Sequence, residues 1–197
     1  MRGFGPISVH FFSAIISNRD PDEKVVLVKT APLPRFNNEV ETLKLCRRQN
    51  AVRQLLDVTD SPQSTMLEFL DKNLYDASCE QQLERRDVKR AVRAAPEGLA
   101  VLHANKRAHT GQFHVTTQAD CFCISTNAAG FTDINPDNLL AHCGSGESRF
   151  GAIKLGDLGD SVSEDVSTNT GQHIISAPIY RAPEVILNVQ WTTAVDI

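Results

Sequence analysis

Partway along this chain the hydrophobic period changes, and that change limits the possible folds more than any other feature. Up to residue 70 the apolar residues come in short runs bounded by turn residues, which is the pattern of strands. Val25-Val26-Leu27-Val28 reads as a buried strand leaving a hairpin, preceded by the turn-like stretch 18–22 and closed by Lys29. Leu55 to Val58 and Thr65 to Leu70 read as two further strands about a turn over 59–64. Between them, Val40, Leu43 and Leu45 stand at roughly helical spacing, which predicts a short helix over Asn37 to Arg48 with Asn37 or Asn38 as its cap. From Asp87 the period lengthens: Val88, Ala91, Val92, Ala95, Leu99 and Leu102 recur every three or four residues, one face of an amphipathic helix. Pro96 falls inside it. A mid-helix proline costs about 3 kcal/mol, so the helix is expected to kink or weaken there, or to start near Ala95.

The remainder is less regular. Residues 105–148 read mostly as loop, Ala152 to Leu155 as a short strand entering Gly156-Asp157-Leu158-Gly159, and the Ser/Thr-rich stretch 161–170 as another loop. With 41% hydrophobic residues, the 197 positions can build one compact domain or two small lobes. Twenty basic against 24 acidic residues give a net charge of −4, which makes no electrostatic case for nucleic acid or an anionic membrane. The apolar runs fall well short of the roughly 20 residues of a membrane span. Near the N-terminus Pro6 and His10 interrupt what would otherwise resemble a leader. Five scattered cysteines suggest no disulfide framework, which fits a reducing cytosol or nucleus. Cys121 and Cys123 with His114 lack the spacing and second ligand pair of a zinc site.

What carries chemistry is an ordered succession of short motifs. Val26-Leu27-Val28-Lys29 comes first, then Glu39 in the short helix. Asp133 follows, with Asn138 five places on, then Asp157-Leu158-Gly159, then Ala182-Pro183-Glu184. In this order the chain resembles the eukaryotic protein kinase family from about residue 20 onward. Asp157-Leu158-Gly159 together with Tyr180 and Arg181 looks most like the serine/arginine-rich protein kinases and their fungal relatives.

The resemblance implies an α+β, bilobal, protein-kinase-like fold. A small β-rich lobe over residues 1–70 would sit on an incomplete, mainly helical lobe over 71–197, with ATP in the cleft between them. It implies that Lys29 holds the α and β phosphates and pairs with Glu39, and that Asp133 accepts the proton of the substrate hydroxyl. Asn138 and Asp157 would hold Mg2+ through oxygen. Gly3, Gly5 and Ser8 would form the loop covering the phosphates, although Ser8 stands where the family has glycine. The hinge at Glu68-Phe69-Leu70 would receive the adenine, and Asp196 would steady the backbone of the catalytic loop. The expected partner is a protein with a Ser/Thr acceptor, of serine/arginine-rich type, in the cytoplasm or nucleus.

Three departures bear on activity. Asn135 replaces the catalytic-loop lysine, which removes a positive charge from where the transition state is negative. Only ten positions separate Lys29 from Glu39, shorter than the family's usual loop and helix, which leaves their ion pair in doubt. Residues 111–132 divide His109-Thr110 from Asp133; excised, they leave His-Thr-Asp-Ile-Asn-Pro-Asp-Asn, an uninterrupted family motif. The hypothesis is that they are a translated, unspliced intron, and transcripts that all keep these codons would overturn it. The family's second lobe continues past the point where this sequence stops, so Val185, Ile186, Leu187 and Trp191 are expected to be exposed. Two readings result: an ATP-dependent Ser/Thr protein kinase, or a catalytically inactive pseudokinase or fragment that binds nucleotide or protein.

Overall fold

The computed structural model describes residues 18–19, 25–110, 135–144, 148–164, 182–187 and 189–196. Its first unit is a four-stranded antiparallel sheet in the order β1-β2-β4-β3, built from β1 (Asn18–Arg19), β2 (Val25–Lys29), β3 (Leu55–Asp60) and β4 (Gln63–Glu68). β2, β3 and β4 lie within about two residues of where the apolar runs place them, whereas β1 falls in the stretch 18–22 that reads as a turn. β2 is paired on both sides, and Lys29 ends it opposite Thr65 of β4.

Helix α1 (Leu33–Leu45) starts earlier than the expected Asn37. Pro32 is its N-cap and Pro34 lies in the first turn, where a missing N–H costs nothing and the fixed φ is already helical. Its buried stripe is Phe36, Glu39, Val40 and Leu43, so a carboxylate occupies a position that the 3.6-residue period assigns to the core. α2 (Leu74–Glu80) follows β5 (Lys72–Asn73), and the Asn73 side chain caps it by accepting from the Asp76 N–H.

Helix α3 (Arg85–Ala104) is continuous with Pro96 inside it, so it does not start near Ala95. Pro96 and Val92 are both exposed, so the carbonyl that the proline leaves unbonded is on the water side. Ala91, Ala95, Leu99 and Leu102 meanwhile hold the opposite face in the core. The stretch 105–148 is also less irregular than expected, since it contains β6 (Arg107–Ala108) and β7 (Leu139–Cys143). β7 lies between β5 and β8 (Phe150–Leu155) in a three-stranded antiparallel sheet, and β6 pairs with β9 (Val162–Ser163).

Small residues on α3 let β8 approach closely, and Leu67, Leu74, Leu99, Leu102, Phe150 and Leu155 meet in one core. Each large side chain so buried contributes about 1.5–3 kcal/mol. The strand β8 is also tied to the segment after α1, through the Leu155 N–H to Ala51 O at 2.9 Å and the Arg53 N–H to Leu155 O at 2.8 Å. A smaller cluster joins Ala108, Ala182, Trp191 and Val195 near α4 (Pro183–Ile186). Trp191, expected to be exposed, is therefore buried, while Ile186 and Leu187 are exposed as expected. The described residues form an α+β fold with small antiparallel sheets and four helices. None of those helices is long and apolar enough to cross a membrane.

Candidate functional site

Lys29 leaves the end of β2 with its side chain 11% exposed, and its ammonium reaches two carboxylates at once. Nζ donates to Glu39 Oε1 at 2.8 Å and to Asp157 Oδ1 at 2.7 Å. The pair with Glu39, doubted on spacing, does form. Because α1 begins at Leu33, the connection from β2 is only three residues long and Glu39 still faces the strand end. Burial alone would push the Lys29 pKa down, but Asp157 and Glu39 outweigh it and hold the ammonium above the usual lysine value.

Asp157 follows β8 in the left-handed region, at φ 55°, ψ 61°, and opens the 3-10 turn Leu158–Asp160. Burial raises its pKa, yet Lys29 and then Arg35 more than offset this, so the carboxyl sits below its ordinary range. Arg35 Nη2 lies 3.4 and 3.3 Å from the two Asp157 oxygens and 2.7 Å from Asp160 Oδ2. Two cations and three carboxylates thus make one connected network. Arg53 stands near the same charges: burial lowers its pKa to about 10, with Glu39, Glu68 and Asp157 pulling the other way.

A second set of contacts fixes α1 against this turn. Asn38 Nδ2 donates to the carbonyls of Gly159 and Ser161 at 2.8 and 2.7 Å, while its Oδ1 accepts from Arg107 Nη1 at 2.9 Å. Thr42 Oγ1 and Ser161 Oγ lie 2.8 Å apart, and Arg107 also pairs with Glu41 at 2.7 Å. Sequence reasoning missed Arg35, Asn38 and Arg107 in these roles. The available signal was that Arg35 precedes Glu39 by four residues and so shares its face of the helix.

Asp196 is fully buried and accepts the backbone N–H groups of His109 and Thr110 at 2.7 and 3.2 Å, with His103 Nε2 2.8 Å away. Thr110 has φ 43°, a left-handed conformation that a β-branched residue rarely adopts. Asp196 and the bond from Thr110 Oγ1 to the Asp160 carbonyl hold it there. His109 Nε2 donates to the carbonyl of Gly156, the residue before Asp157, at 3.1 Å. The chain leading into 111–134 is therefore anchored directly beside the Asp157 turn.

Asn138 comes to the same place from the other side: its carbonyl accepts the Gly156 N–H at 2.8 Å. Asn138 and Asp157 carry hard oxygen donors, and no group of three or more His, Cys, Asp or Glu among the described residues is placed to hold a metal ion by itself. Such a donor set fits magnesium, which keeps several waters and takes further oxygens from phosphate. Asn135 turns its side chain onto its own backbone, where Oδ1 accepts the Asp137 N–H at 3.3 Å. At the end of β4 the Glu68 carboxylate pairs with Lys154 at 2.7 Å, and the Glu68 carbonyl accepts from Arg53 Nε at 2.8 Å. Leu70 is buried nearby. Gly3, Gly5, Ser8, Asp133, the segment 111–132, and Cys121, Cys123 and His114 lie outside the described residues. So do Tyr180 and Arg181. No family model matches the chain.

Proposed function

We propose that this chain is an ATP-dependent Ser/Thr protein kinase-like protein with a bilobal kinase-type architecture. The observation that supports it most is the triangle in which Lys29 bonds Glu39 and Asp157 at once. The Lys29–Glu39 pair is one that the motif succession implied, and the Lys29–Asp157 contact adds a turn residue to it. Lys29 carries the charge that would orient the nucleotide phosphates, and Glu39 fixes where that charge points. Asn138 and Asp157 would hold a magnesium ion, which would neutralise phosphate charge when bound.

Of the remaining residues, Glu68 would offer its backbone carbonyl, which can accept a second bond besides that from Arg53, to the adenine beside the buried Leu70. Asp196 braces His109 and Thr110, and Asp133, read from its motif alone, would be the base that takes the substrate hydroxyl proton. A protein acceptor of serine/arginine-rich type, in the cytoplasm or nucleus, belongs to the same reading. Asn135 favours the second reading, a pseudokinase, because its side chain is spent on a local turn and brings no charge to the transferred group. The test is Mg-ATP binding by calorimetry, followed by phosphate transfer to a serine/arginine-rich peptide with an Asp133→Asn control. Transfer above that control establishes the kinase; binding without transfer establishes the pseudokinase. If neither occurs, the proposal fails.

A further inference from the structure

The Asp157 carboxylate has a second cation seated on it, and the motif succession gives that residue no role. Arg35 Nη2 is 3.4 Å from Oδ1 and 3.3 Å from Oδ2 of Asp157, but only 2.7 Å from Asp160 Oδ2. Its side chain is 15% exposed and lies flat on the turn: a Cβ at Gly159 would stand 2.7 Å from Arg35 Nε and 2.9 Å from its Cγ. Lys29 already bonds Oδ1, so the guanidinium covers the oxygen that remains. We propose that Arg35 is a built-in counter-cation that competes with a divalent metal ion for Asp157, so that metal loading requires the guanidinium to shift onto Asp160. The proposal rests on the reading of Asp157 as a metal-binding carboxylate.

The distances give the competition a direction. The contacts to Asp157 are long for charged hydrogen bonds, whereas the contact to Asp160 has full strength. Asp160 is therefore the anchor, and Asp157 is held mainly by charge. A magnesium ion needs its carboxylate oxygen at about 2.0–2.1 Å. At that range it would lie within a few ångströms of the guanidinium, where two positive groups repel strongly in a partly dry cleft. Movement toward Asp160 relieves the repulsion without stranding the arginine. Gly159 gives it the surface to slide on, since any side chain there would meet the arginine stem.

The test measures binding and needs no turnover. Mn2+, a hard spectroscopic substitute for magnesium, is titrated into the full chain by electron paramagnetic resonance, with and without a non-hydrolysable ATP analogue. Arg35→Gln is expected to bind Mn2+ roughly three- to thirtyfold more tightly than the native chain. Arg35→Lys, which keeps the charge but loses the planar fork, should fall between, and serves if the glutamine variant does not fold. Asp160→Asn, which removes the anchor, should weaken binding, and Asp157→Asn should abolish it. If the native chain binds Mn2+ through Asp157 and the folded Arg35 variants bind no better, the counter-cation role is overturned while the metal site stands. If no Asp157-dependent binding of Mn2+ or nucleotide is found in any variant, the metal-site reading falls and this proposal with it.

Discussion

Lys29 and Asp157 lie 128 positions apart in the chain, yet their charged atoms are 2.7 Å apart. One ammonium thereby joins the last residue of β2 to the second residue after β8. With Glu39 as its other partner it also fixes the rotation of α1, because a carboxylate on the buried stripe must find its cation there.

Lys29→Met is expected to cost about 3 kcal/mol, because it leaves the Glu39 carboxylate buried without its cation. Urea unfolding followed by circular dichroism measures this. A double variant that also changes Glu39→Gln should recover part of the loss, since the stranded charge is then gone. If both variants unfold at the same denaturant concentration, the loss does not come from a stranded charge.

The acid and alkaline limbs of the stability profile separate the two ends of this pair. The folded pKa of Asp157 lies below its unfolded value of 3.8, so its contribution is full above that value and is lost as pH falls through the folded one. The folded pKa of Lys29 lies above its unfolded 10.5, so its contribution is full below that value and is lost as pH rises through the folded one. Asp157→Asn should cost about 1 kcal/mol near neutral pH, a modest figure because the carboxylate is one-third exposed and screened. The difference from the native chain should narrow below pH 3.8. Urea titrations at a series of pH values follow it.

Asp196 accepts from two backbone donors with no exposure to water. Asp196→Asn turns one of its acceptors into a donor aimed at a donor, and removes the charge that strengthens the remaining bonds. We expect a loss of about 2–4 kcal/mol, read as a lower midpoint in calorimetry. Amide exchange at His109 and Thr110 should quicken as well, which a loss spread evenly through the core would not single out.

Lys29, Glu39, Asp157 and Asp196 could be picked from the sequence because residue type and order identify them, and the described residues bring the first three together. The strands β2, β4 and β8 and the helix α3 were legible too, since each carries a clear period. Arg35, Asn38 and Arg107 were not. Arg35 and Asn38 act where α1 meets residues 157–161, more than a hundred positions away, and Arg107 reaches Asn38 of α1 across 69 positions; the one local sign was that Arg35 stands four residues before Glu39. β7 was hidden for a related reason: Leu139 to Cys143 is a short run that becomes a strand by pairing with β5 and β8. The ion pair of Lys29 was misjudged because the spacing argument assumed a helix start at Asn37, whereas the prolines at 32 and 34 bring the start forward.

Pro96 gives a stabilising prediction. It removes one donor from α3 on the exposed face, and Pro96→Ala restores a bond to the Val92 carbonyl in a helix that is already continuous there. The propensity gain of up to about 3 kcal/mol is offset in part by the greater freedom of the unfolded chain, leaving a net gain of about 1–2 kcal/mol. Thermal unfolding checks it, and an unchanged midpoint would mean that water already satisfies that carbonyl fully.

Gly98, two residues further along the same helix, should behave in the opposite way. Alanine is the better helix former by about 1 kcal/mol, and propensity alone would make Gly98→Ala stabilising. The new Cβ, however, would stand 2.6 Å from Leu155 Cβ and 3.3 Å from the Ala51 carbonyl oxygen. Neither can move easily: Leu155 is fully buried, and its backbone is bonded to Ala51 and Arg53 on the segment that follows α1. Relief therefore requires α3 to back away from β8, and overpacking of this kind costs about 1–3 kcal/mol, which exceeds the propensity gain. Because β8 leads directly into Asp157, the same shift should weaken Mn2+ binding as well as stability. A Gly98→Ala variant with raised stability and unchanged Mn2+ affinity would show that the helix and strand are not in the tight contact described.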